Sequence, residues 1–355
     1  DPYFKQKEYL EKNEVQVFSS NYELYGDMSA RVMEVLSMLV EDVEVYSIDE
    51  AFLKFDGYDK IYATYEDFGY MIKKTVQQWT GIPVSVGIAP TKTLAKVANR
   101  FAKKGRGVQV LEGEKERDRA LKQTELEDVW GIGRRYAALL SGNGLKNAFD
   151  YSQMPEKWVR QHMTVVGERM YRELNGQSCL PLEMVSERRK GIGSSRSLKK
   201  ALKSKAEVKE AAATFMSRIA EKLRRQQSSA SVITVSVGTN SFKPESPQYR
   251  NHLTITLPVA SDDNGEMIVY ALKGIEHIYR EGFEYKRVGV MVSGIVPTTQ
   301  VQAGLFDNVD RAKVRKVMTV VDELNARFGR NFVRSAAIGN AQYAKTSRRF
   351  LSPHY

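Results

Sequence analysis

The sequence predicts a multidomain α+β chain, and three observations carry that prediction. Strands and helices interleave over 22–111, only helical patterns and glycine-bearing turns fill 112–182, and a β-α-β-β-α-β order runs over 192–295. At 355 residues the chain is long enough for two or more domains with substantial cores. A hydrophobic share of 42% and a charged share of 27% suit a globular protein. Its one cysteine, Cys179, excludes an internal disulfide and a thiolate metal cluster, and fits a reducing compartment. Apolar runs are short and broken by charge, so neither a membrane span nor a signal peptide is read. The chain opens on Asp1-Pro2 rather than methionine, so a missing N-terminal segment is expected.

The elements follow in order. In 1–40, Met28, Val32, Val35 or Leu36 and Leu39 share one helical face. The stretch "VEVYSIDEAFLKF" (43–55) reads as a buried strand or hairpin, from Val43, Val45, Ile48, Phe52, Leu53 and Phe55. An amphipathic helix is read at 65–80, a strand at 82–89, a helix at 91–104 and a short strand at 107–111. A basic, flexible connection over 186–200 enters a new domain. There the reading is strand 192–198, helix 205–227, strands 230–239 and 249–259, helix 263–282 and strand 286–295. A loop, a helix around 309–328 and a tail with six Lys and Arg and no acid from Arg327 onward complete the chain.

The net charge is +11, and its distribution is uneven. Over 22–111 there are 11 Lys and Arg against 12 Asp and Glu; over 186–297 there are 19 against 11. A neutral segment joined to a basic one suggests that the basic one meets a polyanion, a solvated basic face being the alternative.

Asp49 and Glu50 are adjacent acids in an apolar setting. Buried together they need cations or donors, because neighbouring like charges resist joint ionisation. Two hard oxygen donors in an incomplete cage suit Mg²⁺, which keeps water and phosphate in its shell. Two such ions about 3.5–4 Å apart can drive phosphoryl transfer. Successive strand residues point to opposite faces, so both acids serve one site only at a strand end or bend. A third acid on a neighbouring strand is expected. The alternative is an exposed hairpin-turn pair.

Over 87–107, Leu94, Val97, Ala98 and Phe101 form an inward stripe, and Lys92, Lys96, Arg100 and Lys103 the opposite one. These cations are either a solvated face or, beside a metal–phosphate site, holders of a triphosphate. "GIAPTKT" (87–93) lacks the glycine and spacing of an NTPase phosphate loop. "LEDVWGIGRRYAALL" (126–140) fits a helix-hairpin-helix: Leu126 and Val129 pack one helix, Gly131-Ile132-Gly133 turns, and Ala137 and Leu140 pack the next. Such glycines let backbone N–H groups approach a phosphate, and Arg134 and Arg135 add sequence-independent affinity. "QAGLF" (302–306) suits a short docking peptide or a plain loop. His162, His252, His277 and His354 share no ligand spacing, and no Ser-His-Asp or Cys-His nucleophile is visible.

Taken together, "SSNYELYGDMS" (19–29), "YSIDEAF" (46–52), "GIAPTKTLAKVAN" (87–99), "VWGIGRR" (129–135), "GLFD" (304–307) and "LSPHY" (351–355) resemble the Y-family translesion DNA polymerases, in their UmuC-type branch. The resemblance runs over essentially the whole chain. It implies a remnant of the fingers at 1–21, a palm at 22–111, a thumb at 112–185, a little finger at 186–297, a clamp-binding linker at 298–307 and a C-terminal tail at 308–355. It implies that Asp49 and Glu50 bind two Mg²⁺ ions and that Lys103 contacts the incoming dNTP. Gly131, Ile132, Gly133, Arg134, Arg135, Arg196, Lys199 and Lys200 would hold primer–template DNA. Gln302, Leu305 and Phe306 would dock on the β sliding clamp. UmuD-like and RecA-like partners and a bacterial cytoplasmic, nucleoid-associated setting come with the same resemblance. The family's first catalytic aspartate and sugar gate would lie upstream of Asp1, so the chain is expected to be truncated and inactive alone. The rivals are a non-catalytic DNA- and clamp-binding fragment and a DinB-type polymerase, which would usually end near its clamp peptide.

Overall fold

The computed structural model describes residues 2–54, 57, 63–185, 188–302, 304–305, 307, 309–339 and 350–351. The chain divides into two compact units, Asp1–Ser186 with Phe350–Tyr355, and Glu187–Arg349.

The first unit begins with helices α1 (Tyr3–Lys12) and α2 (Tyr22–Leu39). Asn21 caps α2 by accepting from the Leu24 N–H at 3.2 Å. The apolar face of α2 buries Val32, Met33, Val35 and Leu36 against Phe68, Ile72 and Val76 of α3 (Tyr65–Thr80). Strands β1 (Asp42–Val45) and β2 (Ala51–Lys54) form an antiparallel hairpin closed by the Val45–Ala51 pair. Strands β3 (Val86–Ile88) and β4 (Val108–Val110) pair in parallel and are joined by α4 (Lys92–Lys104). Gly87 sits where strand and helix touch: a Cβ there would lie 2.1 Å from the Asn99 nitrogen. The strand read at 82–89 shortens to its last part, because only 86–88 has a partner in β4.

A helical cluster follows: α5 (Glu114–Lys122), α6 (Arg134–Gly142), α7 (Ala148–Ser152) and α8 (Glu156–Leu174). It packs Leu121, Leu140, Tyr151, Val159, Met163 and Leu174 against Leu94, Val97 and Ala98 of α4. The Tyr151 hydroxyl donates to the Gly167 carbonyl at 2.7 Å, and burial pushes its pKa up. The expected first helix of the helix-hairpin-helix is one 3-10 turn, Leu126–Asp128. Between an extended Glu125 and an extended Val129 there is too little chain for an α-helical nucleus.

The second unit is β5 (Ile192–Leu202), α9 (Lys205–Arg225), β6 (Ser228–Gly238), β7 (Arg250–Ser261), α10 (Asn264–Ile278) and β8 (Tyr285–Pro297). The sheet order is β5-β8-β6-β7, with every neighbour antiparallel. Both helices cover one face, where Phe215, Met216, Ile219 and Ile275 meet Val235, Val288 and Val290. The bare face carries a groove lined by polar residues such as Ser195, Ser236, Arg250, His252 and Arg287. Residues 192–200, read partly as flexible connection, lie in strand β5, whose Ile192–Ser197 stretch pairs with β8.

Part of the segment read as a tail is built into this unit. Helix α11 (Arg311–Phe328) is tied to α9 by Arg224, whose Nε and Nη2 donate to Asp322 at 2.6 and 2.7 Å. Arg311 donates to Glu266 of α10 at 3.2 Å, and Ile338 is buried in the core. Half-buried Val314, Met318, Val321 and Leu324 give α11 the helical apolar period that such docking requires. Among the described residues no helix is long and apolar enough to cross a membrane.

Candidate active site

The chain reverses between β1 and β2 across Tyr46–Glu50, where the Tyr46 and Ser47 N–H groups both donate to the Glu50 carbonyl at 3.0 Å. The Ser47 hydroxyl donates to Asp49 Oδ1 at 2.7 Å, and the Asp49 N–H donates to Ser47 Oγ at 3.3 Å. Asp49 is exposed and Glu50 half-buried. The buried strand read over 43–55 is therefore a short hairpin: Val45 and Ile48 are 57% and 51% exposed, and Phe52 packs. Phe55 lies outside the described residues. The bend meets the geometric condition that a straight strand fails, because both acids can serve one site. It also spares them the desolvation cost of a buried pair.

Three of the four cations on the polar stripe of α4 are engaged with acids. Lys92 pairs with Glu44, Lys96 with Glu50 and Arg100 with Asp128. The first of these is buried, its side chains 10% and 8% exposed. Lys92 also donates to the Pro181 carbonyl at 2.8 Å, and Glu44 accepts from the Glu183 N–H at 2.8 Å. The stripe is thus a ladder of ion pairs rather than a solvated face. Lys103, exposed in the last turn, makes no ion pair among the described residues.

Tyr46, Phe52 and Trp130 gather with ring centroids 5.5–5.6 Å apart, and the Trp130 indole N–H donates to the Tyr46 hydroxyl at 3.1 Å. The indole joins the acid hairpin to the glycine turn that follows it. Two carboxylates that the motif reading missed also hold the site's frame. Glu44 is one; the other is Glu173 of α8, fully buried. Glu173 accepts from the N–H groups of Thr93 at 3.0 Å, Cys179 at 2.7 Å and Leu180 at 3.2 Å. It thereby caps the start of α4. Period-2 alternation could have flagged Glu44, since it lies between two valines on the opposite strand face; no local pattern marks Glu173.

The expected third acid is not supplied by the described residues, which contain no group of three or more His, Cys, Asp or Glu able to hold a metal. Glu44 lies in the neighbouring strand, but Lys92 and the Glu183 N–H occupy it. Asp49 and Glu50 form an all-oxygen donor pair open to solvent. That set fits a hard divalent cation whose shell is completed by water and phosphate oxygens.

Gly131 has φ 92°, a left-handed conformation suited to glycine, and Gly133 caps α6. Both are exposed, as are Arg134 and Arg135 in the first turn of α6. Ile132 is different: its side chain is buried and its N–H donates to the Val129 carbonyl at 2.9 Å, so it anchors the turn. In the second unit Arg196 alternates with buried Ile192 and Leu198 on the helix-facing side of β5, whereas Lys199 and Lys200 are exposed. Gln302 is exposed and Leu305 fully so, while Phe306 lies outside the described residues.

The impB/mucB/samB family matches residues 1–100, which hold the acid hairpin, and the C-terminal domain of that family matches 189–305. A domain of unknown function matches 315–355. Protein UmuC of Salmonella typhimurium is 40% identical over 360 residues, covering 100% of this chain and 85% of that protein. The chain belongs to the impB/mucB/samB family. Protein ImpB of Salmonella typhimurium is 37% identical, covering 100% of this chain and 84% of its own length. A solved Y-family DNA polymerase chimera, 20% identical, matches 78% of each chain with a TM-score of 0.62 and shares the fold. The UmuC-type resemblance read from the motifs is borne out. Among impB/mucB/samB proteins the likeness to UmuC extends through residues 308–355, where a DinB-type chain was expected to have ended.

Proposed function

We propose that the intact protein carries out error-prone translesion DNA synthesis as a UmuC-type Y-family polymerase, adding dNTPs to a primer 3′-hydroxyl under template direction. The observation that carries this reading is the placement of Asp49 and Glu50 together on an open bend, in a chain 40% identical to UmuC along its whole length. Asp49 and Glu50 would hold the Mg²⁺ ions, which when bound activate the attacking hydroxyl and stabilise the leaving oxygen. Lys103, exposed and without an ion pair among the described residues, would contact the triphosphate. Gly131, Gly133, Arg134 and Arg135 offer N–H groups and positive charge to the duplex backbone, which holds DNA without reading bases. Lys199 and Lys200 add to that grip from the second unit, and Gln302, Leu305 and Phe306 form the clamp peptide.

The test is primer extension past an abasic template site by the intact protein in Mg²⁺. Template-dependent incorporation is expected. DNA binding without incorporation would replace this reading with that of a non-catalytic DNA- and clamp-binding protein.

Two further outcomes follow from the same reading. DNA affinity should fall steeply with added salt, and Arg134→Ala with Arg135→Ala should flatten the log–log slope by about 1 for each phosphate no longer neutralised. Fluorescence anisotropy across a salt series checks this, and a flat wild-type dependence counts against the phosphate grip. Gln302→Ala with Leu305→Ala should weaken sliding-clamp binding in surface plasmon resonance while DNA affinity holds. Unchanged clamp affinity would remove the peptide from that role.

A further inference from the structure

We propose that Lys96 is a positioning residue that competes with the divalent cation for Glu50, and so sets how tightly the acid pair holds metal; the inference rests on the reading of Asp49 and Glu50 as metal ligands. Its base is the contrast between two rungs of one ladder. Lys92 and Glu44 are buried and further held by a carbonyl and an N–H group, so that rung is structural. Lys96 and Glu50 are 25% and 33% exposed, so water and ions reach the pair.

Lys96 cannot leave the neighbourhood by moving its helix. Leu94, Val97 and Ala98 on the same turns are fixed in the core, each 2% exposed or less. In that same paired position the Lys96 ammonium also lies 5.8 Å from the centroid of the Tyr46 ring, whose face attracts a cation. Lys96 contacts one oxygen of Glu50, and Ser47 occupies one oxygen of Asp49. A divalent ion on these carboxylates therefore shares Glu50 with an ammonium, and like charges at that range repel. Arg100, the next cation along α4, is committed to Asp128 and does not substitute. Lys96 thus keeps Glu50 in place by direct pairing while lowering the acid pair's affinity for metal.

Mn²⁺ binding to the intact protein, without DNA or nucleotide, tests this by electron paramagnetic resonance titration. Lys96→Met should tighten the site-specific affinity about fivefold, the scale of a partly exposed ion pair. Lys96→Arg, which keeps the charge, should restore an affinity close to wild type. Lys96→Gln repeats the test if the methionine variant fails to fold, judged by circular dichroism. Asp49→Asn separates the two readings. If it abolishes the Mn²⁺ site and Lys96→Met leaves affinity unchanged or weaker, competition by Lys96 is overturned alone. If Mn²⁺ binding ignores Asp49→Asn, the metal-site reading falls and competition by Lys96 falls with it.

Discussion

Asp49→Ala in the intact protein should lower single-turnover primer extension by about three orders of magnitude, the scale of several kcal/mol of lost transition-state stabilisation. DNA affinity and thermal stability should stay near wild type. The separation follows from where Asp49 sits. It is exposed on the bend between β1 and β2, and its side chain accepts a hydrogen bond from the Ser47 hydroxyl. Removing an exposed side chain of that kind shifts stability by no more than about 0.5 kcal/mol. The glycine turn meets the acid hairpin through Trp130 and Tyr46 rather than through the Asp49 side chain, so DNA retention should not depend on Asp49. Rapid-quench extension, DNA anisotropy and a thermal melt measure the three quantities separately. A rate within tenfold of wild type would take Asp49 out of the chemistry, and a large drop in melting temperature would make the loss structural.

The long elements were legible because their signals are local and repeated. The amphipathic pattern over 65–80 coincides with α3, and the β-α-β-β-α-β order survives with its ends shifted by only a few residues. Asp49 and Glu50 were legible because two acids in an apolar run are unusual. What the acids meet was not. Whether Val45 faces core or water depends on a hairpin register, Val45 against Ala51, that pairs residues across a turn. The partners of Lys92, Lys96 and Arg100 lie 28 to 48 positions away in sequence. A helical wheel shows four cations on one face but carries no information about the acids brought to them. The buried role of Ile132 and the docking of α11 through Arg224 and Asp322 are likewise tertiary facts. Short motifs pointed to the family, and packing decided which of their side chains are exposed and which are held.

The frame around the acids should prove the most sensitive part of the first unit. Glu44→Ala leaves the Lys92 ammonium, 10% exposed, without its counter-ion, and leaves the Glu183 N–H without its acceptor. Breaking one side of a buried pair typically costs about 3–5 kcal/mol, because the remaining charge is stranded away from water. Lys92→Met should cost less, since it strands a carboxylate that still accepts from the Glu183 N–H. The double variant should be less destabilised than the sum of the singles, with a coupling of about 2 kcal/mol. Urea unfolding followed by tryptophan fluorescence reads this directly, because Trp79, Trp130 and Trp158, the three tryptophans of the chain, all lie in the first unit. A Glu44→Ala cost below about 0.5 kcal/mol would place the pair in the class of water-screened surface bridges. It would also mean that the β1–β2 hairpin is held in the first unit by the packing of Phe52 on Trp130 rather than by charge. The distinction matters for the acids themselves: Glu44 sits one residue before the last of β1, so whatever fixes it also fixes the bend from which Asp49 and Glu50 project.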